Sequence, residues 1–428
     1  MHRRARTAVT CIAACTLSAL ATPASPAAAP LPHYDLHLQL DPASGHVAVR
    51  GTLGLSSAAP GDSLVFRLHR QLAITEWSVN GVTGHGRDDT LAGVRHQPEA
   101  TTVRSRVPAT HVAGDPVTIA FAHAGVLDAW PEWSASVIGS DWTEMGLYFP
   151  WFPDFAGLAP YTYRVAIVTD PSRTVWALGA ASRDGDARVF TTTAPTNDIV
   201  VVASPDLRIH QADGVQVVSR TLAPATVDTL AADLTAMRAR YTAWFGPTPG
   251  GLALVESSRE RGGGYARRGA LYLAGLADAD YFDLREGYAR YLGHELAHLW
   301  WYRADTGTWE DWLNESLAEF SALALVRERF GPDAYAARLA RKRETCAGTP
   351  PIVGLDRNGS EHAEAVLYGK GPVLLAELED RLGEAALREL LRATYARAVT
   401  TTEAFLALLA EQAEPATADW FGEQLRVR

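Results

Sequence analysis

Two histidines four residues apart with a glutamate between them, His294-Glu295-Leu296-Ala297-His298, are the residues of this 428-residue chain whose types and spacing could do chemistry. On a helix, positions i and i+4 share a face, so both imidazoles can aim a ring nitrogen at one divalent ion. Glu295, turned about 100° from His294 by the helical repeat, is placed to reach a water beside such an ion rather than the ion itself. The chemistry this predicts is metal-assisted hydrolysis. With 13 histidines in the chain, five residues can match by chance, so the surroundings have to decide. Leu284, Tyr288, Tyr291, Leu292, Leu296, Leu299 and Trp300 recur at three- and four-residue steps. They predict one amphipathic helix from Asp283 to Arg303 that half-buries both histidines. Two buried histidines without a metal would leave several polar nitrogens to satisfy.

A third ligand has to come from a neighbouring element. Trp312, Leu313, Leu317, Phe320, Leu323 and Leu325 predict a second amphipathic helix over Trp309 to Phe330, stopped by Gly331-Pro332 and carrying Glu315 near its start. Two antiparallel helices joined by a turn over Ala304 to Thr308 would set Glu315 against the His294/His298 face, which makes Glu315 the expected third ligand of one zinc ion per chain.

These words resemble the gluzincin metallopeptidases related to aminopeptidase N, whose H-E-x-x-H is followed by the glutamate of a W-L-N-E-G-like segment. Here that segment is Trp312-Leu313-Asn314-Glu315-Ser316-Leu317-Ala318-Glu319-Phe320, and the intervening residues, 299 to 314, are sixteen, slightly fewer than usual. Glu319 is then a fallback ligand, a carboxylate standing behind the ligands or facing substrate, or a solvated helix acid. Tyr368-Gly369-Lys370-Gly371-Pro372 is similar to the family's Y-x-K-G segment, and the resemblance implies that Tyr368 hydrogen-bonds the oxyanion. A phenol with a pKa near 10 stays protonated for that task.

The family's G-x-M-E-N-like loop, whose glutamate holds the free amine of the substrate, corresponds to Gly262-Gly263-Gly264-Tyr265-Ala266-Arg267-Arg268. Gly263, Gly264, Tyr265 and Ala266 are thereby implied as substrate-binding, but Ala266 stands where the glutamate is expected. Recognition of the substrate amine is therefore altered. Glu256, Glu260 or Glu319 could substitute, or the enzyme could cut internal bonds; Arg267 and Arg268 would repel an ammonium, unless they form a solvated loop.

At 47% hydrophobic content the chain can bury sizeable cores, and two to three domains are expected. Residues 1–29 read as an export signal: basic His2 to Arg6, apolar Ala8 to Leu20, then a small-residue cleavage zone. It is too short and polar to span a membrane, which places the mature protein outside the cytoplasmic membrane. Lipid anchoring at Cys15 is a minor alternative. Cys11 and Cys15 leave with the signal, so Cys346 alone remains and no intramolecular disulfide can form. The net charge is −10 and grows more negative once the signal's three arginines are removed. That balance argues against nucleic acid and anionic membrane as partners, and the resemblance implies a peptide or protein substrate.

Two textures divide the rest. From residue 30 to 222 alternation dominates, as in Tyr34 to Leu40, Val47 to Leu53, Val117 to Phe121 and Tyr161 to Val168, predicting an antiparallel β-domain. Residues 223–428 turn helical: a helix over Ala225 to Phe245 precedes a buried strand at Leu252 to Val255, and beyond the metal-motif helices others are expected near Ala334 to Arg343, Glu361 to Leu382, Glu384 to Arg397 and Thr402 to Gln412. The expected class is α+β, an N-terminal β-domain followed by a thermolysin-like catalytic domain of small sheet plus helices. The resemblance extends to the aromatic-proline segment Tyr148 to Asp154, expected as interface packing, while the large C-terminal helical domain of many relatives has no counterpart in the sequence, which predicts an open cleft. The competing reading is a secreted peptide-binding protein with a structural zinc, or a degenerate, inactive peptidase. Four protein ligands would favour it; three ligands and an open position favour the enzyme.

Overall fold

The computed structural model describes residues 30–427 apart from residues 95, 131–133, 135, 156–159, 213 and 258–263. The expected export signal, Glu260 and Gly263 lie outside the described residues.

Alternation in His33–Asp41 puts Tyr34, Leu36, Leu38 and Leu40 on one face of a strand, and all four are buried. This strand runs antiparallel to His46–Leu55 and parallel to Thr162–Val168 within an eight-stranded sheet. The β-rich first half is thus present, but its expected antiparallel character is broken here. Parallel neighbours need a long crossover, and the chain between residues 41 and 162 supplies it. Two four-stranded sheets complete this half.

A five-stranded sheet follows in the spatial order Arg208–Ala212, Val215–Ser219, Leu252–Glu256, Ala270–Leu273, Tyr265–Arg267. Its first two strands, read from sequence with the β-rich half, hydrogen-bond into the same sheet as Leu252–Glu256. Among the described residues, the edge strand Tyr265–Arg267 pairs on one side only. Trp142, Trp176 and Val202 from a small sheet share an apolar cluster with Val218, Val255, Tyr265 and Tyr272. Each side chain of this size stabilises by about 1.5–3 kcal/mol when fully buried, so the cluster holds the two halves firmly together.

Ten helices are described: α1 Pro224–Phe245, α2 Asp278–Asp283, α3 Arg285–Ala297, α4 Trp312–Phe330, α5 Pro332–Thr345, the single turn α6 Ala363–Ala365, α7 Gly371–Leu382, α8 Glu384–Ala396, α9 Thr402–Gln412 and α10 Pro415–Gln424. The helix expected over Asp283 to Arg303 is therefore shorter. It stops at Ala297, where the His298 N–H bonds back three residues to the Glu295 carbonyl and Trp300 N–H to that of Ala297. The tighter turn drives Trp300 and Trp301 inward against Tyr241 and Phe245 of α1, so their apolar spacing reported burial rather than helix. Gly331, at a φ of 91°, ends α4 as expected, and Pro332 opens α5.

Asp233 on α1 locks the metal-motif helices in place. Its carboxylate accepts from Arg285 at the start of α3, from Arg329 near the end of α4 and from the Tyr281 hydroxyl. Burial alone would raise its pKa, but these donors outweigh it and hold the carboxyl below its ordinary value. A depressed carboxylate contributes stability above its unfolded pKa of about 4 and loses it as pH falls through the folded value. Asp233→Asn should therefore be less stable than the parent at pH 7, with the gap narrowing as pH is taken below about 4, in urea unfolding followed across pH.

Candidate metal centre

The histidines of α3 and the glutamate of α4 converge. His294 Nε2 and His298 Nε2 each lie 3.4 Å from Glu315 Oε2, and one donor atom from each residue falls within 4.8 Å of the other two. Gly293 allows the helices to come this close, since a Cβ there would meet the Tyr241 hydroxyl at 3.0 Å and Leu325 at 3.1 Å. Glu315 Oε2 is buried and has no hydrogen-bond partner, so an acceptor and two imidazole nitrogens face one another at distances too long for good hydrogen bonds. An orphaned carboxylate oxygen among nitrogen donors is what a zinc ion would satisfy. Among the described residues this group supplies three ligands, not four.

Both rings are oriented from behind. His298 Nδ1 is 2.9 Å from the Trp301 carbonyl, an acceptor, so that nitrogen carries the proton and Nε2 is left as a lone pair for an ion. His294 Nδ1 is 2.9 Å from Glu319 Oε2, although not along the line of a well-formed hydrogen bond. Glu319 also receives Arg290 Nη1 at 2.8 Å and Lys342 Nζ at 2.5 Å. Burial would push this carboxyl up, but His294, Lys342 and Arg290 hold it well below the ordinary range. Its side chain has no exposed surface. The substrate-facing and solvated readings of Glu319 are therefore corrected: the carboxylate stands behind His294, enclosed by cations. Without an ion, burial works against the imidazolium, yet Glu315, Glu319 and Glu295 raise the His294 pKa to about 10. The cluster is an anionic nest that favours a cation.

Glu295 is buried within the same helix, and its charge acts on both imidazoles. The Tyr368 ring lies 5.5 Å from that of His294. Burial, then the charge of Glu315 and a hydrogen bond to it, raise the phenol well above its ordinary pKa, so it is a neutral donor at any working pH. Tyr368 sits in a π-turn, Val366–Lys370, where an unbroken helix from Glu361 to Leu382 was expected. The cause is local. Gly371 N–H bonds five residues back to Val366, freeing the Leu367 carbonyl, and Pro372 has no N–H to offer the Tyr368 carbonyl. Ser316 Oγ donates to Leu367 O at 2.6 Å, and Lys342 Nζ to Tyr368 O at 2.6 Å. A Cβ on Gly371 would lie 1.9 Å from Ser316 Oγ, so glycine is required there. Sequence reading passed over Lys342 and Ser316; the Gly-Pro pair within a helical pattern was the available signal.

The edge strand lies alongside α3: a Cβ on Gly264 would meet the Tyr291 hydroxyl at 2.7 Å and the Tyr272 carbonyl at 2.4 Å. Tyr265 stacks on Tyr272 at 4.5 Å and donates to Glu144 Oε1 at 2.6 Å, while Ala266 is half-buried beside it. The arginines are not a solvated loop. Arg267 pairs with buried Asp198 at 2.7 Å between the rings of Tyr148 and Tyr265, so its charge is compensated, and Arg268 lies over Tyr302 at 4.2 Å. Glu256 is spent on the Arg220 and Thr221 backbone amides, outside any substrate role. Glu144, from the β-rich half, was missed. It is 1% exposed and also receives Ser257 Oγ and Trp142 Nε1. It stands in the segment before Tyr148 to Asp154, whose Phe149, Trp151 and Phe152 belong to the core of the β-rich half rather than to the expected interface, while Tyr148 packs across it on Tyr265.

No protein-family model matches this chain, and no curated protein matches it by sequence. Solved structures match it by fold. An M1 zinc metallopeptidase from Deinococcus radiodurans superposes with a TM-score of 0.70 at 18% identity, covering 93% of this chain and 94% of that one. A mutant M1 zinc metallopeptidase from the same organism, bound to a Tyr-Ser-Ala substrate, gives 0.69 at 19% with the same coverage. Yeast LTA4 hydrolase in complex with bestatin gives 0.70 at 16% identity, over 93% of this chain and 68% of that one. The fold is that of the M1 zinc metallopeptidases.

Replacing Glu319 by Gln removes the anion behind His294 and leaves Arg290 and Lys342 without their common partner. Zinc affinity should fall roughly 10–100-fold, read by competition with a chromophoric chelator. Undiminished affinity would remove Glu319 from that role.

Proposed function

We propose that this chain is a zinc-dependent metallopeptidase of aminopeptidase-like architecture, acting on peptide or protein substrates with altered recognition of the substrate amino terminus. The observation that carries this reading is the meeting of His294, His298 and Glu315 within 4.8 Å, with Glu295 and Tyr368 beside them. Three protein ligands rather than four favour hydrolysis over a purely structural ion. The fold shared with solved zinc metallopeptidases, one holding a tripeptide substrate, supports the same class.

His294, His298 and Glu315 would hold one zinc ion per chain, which would supply Lewis acidity and a water of lowered pKa. Glu295 takes the proton of the attacking water and delivers it to the leaving amine. Tyr368, kept neutral by burial and by Glu315, donates a hydrogen bond to the oxygen on which negative charge gathers. The Tyr265–Arg267 edge offers backbone groups to an extended substrate, and Gly264 leaves the strand close to α3. Among the described residues Ala266 offers no anion and Glu319 is enclosed by cations, so the acid at hand is Glu144, which reaches this strand through the Tyr265 hydroxyl and whose neutral donors Ser257 and Trp142 an ammonium would displace. It is the proposed partner of a substrate ammonium. Residues 1–29 are proposed as an export signal, and among the described residues no helix is long and apolar enough to cross a membrane.

Glu295→Gln should keep zinc and lose about 10²–10⁴-fold in kcat; full turnover in that variant would sink the assignment. Free-amine aminoacyl amides should be cleaved in preference to amino-blocked peptides, and Glu144→Gln should abolish that preference chiefly through KM.

A further inference from the structure

A cavity of about 450 Å³ opens where the β-rich half meets the five-stranded sheet, at the opposite end of the edge strand from Gly264. None of His294, Glu295, His298, Glu315 or Tyr368 lines it. Its walls come from Leu178 to Ala180 and Thr191 to Pro195 on one side, and from Thr248 to Ala253, Arg268, Leu299, Tyr302 and Tyr395 on the other. They are mostly apolar, and the volume suits a small organic molecule rather than a peptide chain.

One charge stands out in this lining. Arg268 spends the face of its guanidinium on the Tyr302 ring, 4.2 Å away, while its in-plane N–H groups make no hydrogen bond to any described residue, and no described carboxylate pairs with it. Burial works against its charge, and Arg303, the other charged neighbour, is also cationic. Among the described residues Arg303 has itself no acidic partner: it donates to the Tyr395 carbonyl and lies over the rings of Tyr302 and Tyr395. Thr248 Oγ1, also in the lining, is buried and without a hydrogen-bond partner. A half-buried guanidinium with a stacked face and an idle fork is preorganised for a planar, bidentate anion. A single fork and an apolar wall match one carboxylate on a hydrocarbon body better than a polyanion.

We propose that this cavity is a second binding site, separate from the metal centre, for a small organic monocarboxylate with an apolar body, its carboxylate on Arg268 and its hydrocarbon part between the two halves of the fold. An occupant would touch Leu299 and Tyr302, which flank Trp301, the residue whose carbonyl orients His298.

The test titrates octanoate and octanamide into the full chain by calorimetry, in zinc-loaded and chelator-treated forms. The acid should bind in both forms at least about tenfold more tightly than the amide, the equivalent of roughly 1.4 kcal/mol. Arg268→Gln should erase that difference while circular dichroism shows the fold intact, and Ala194→Trp, which puts an indole into the cavity from its other wall, should weaken both ligands. Equal affinity for acid and amide would overturn the proposal. So would binding that survives Arg268→Gln or that vanishes with the zinc, since the carboxylate would then sit elsewhere or on the ion. Absence of binding at millimolar octanoate also overturns it.

Discussion

A carboxylate with no exposed surface, Glu319, is the interaction on which the rest of the structure depends. It accepts from Arg290 on α3 and Lys342 on α5 and backs His294, and Lys342 reaches on to the Tyr368 carbonyl. One anion therefore ties three helices to the π-turn. Burying a carboxylate costs several kcal/mol, and removing one partner from such a group costs about 3–5 kcal/mol. The arrangement holds because Arg290 and Lys342 both pair with it and His294 stands beside it. Its consequence is positional: the metal-facing edge of His294 and the phenol of Tyr368 are set by the same charge.

The two halves of the fold depend on each other in a similar way. Apolar burial around Trp176, Val255 and Tyr272 brings the sheets together, but polar contacts specify what faces the edge strand. Arg267 is neutralised by Asp198, and Tyr265 is held by Glu144. Both acids come from the β-rich half. The polar surroundings of the strand are therefore supplied by residues far away in the chain, and Arg267 is a compensated charge rather than the bare one the sequence suggested. The same seam leaves the cavity over Arg268, whose own charge has no such partner.

Period was the most legible property of the chain. Alternation located His33–Asp41, and three- and four-residue spacing located α1, α4, α8 and α9 closely. Where a pattern misled, the cause can be named. Leu299, Trp300 and Trp301 are apolar at helical spacing because they are buried, yet they follow the end of α3 in a tighter turn. Glu361 to Leu382 reads as one helix, yet Gly371 and Pro372 shift its hydrogen bonds into a π-turn. Pairing between distant strands, such as His33–Asp41 with Thr162–Val168, leaves no local mark.

The sequence by itself determined that His294 and His298 share a helix face with Glu295 turned to one side of it, that a helix bearing Glu315 follows, and that a β-rich half precedes them. These are consequences of local repeats, which the spacing of apolar and polar residues encodes directly. Only the tertiary structure decided that Glu319 turns inward to a nest of cations, that Lys342 and Ser316 satisfy the carbonyls around Tyr368, and that Glu144 reaches Tyr265. Those outcomes rest on the desolvation of individual charges and the satisfaction of individual carbonyls by groups distant in the chain, and no period in the sequence records such pairings.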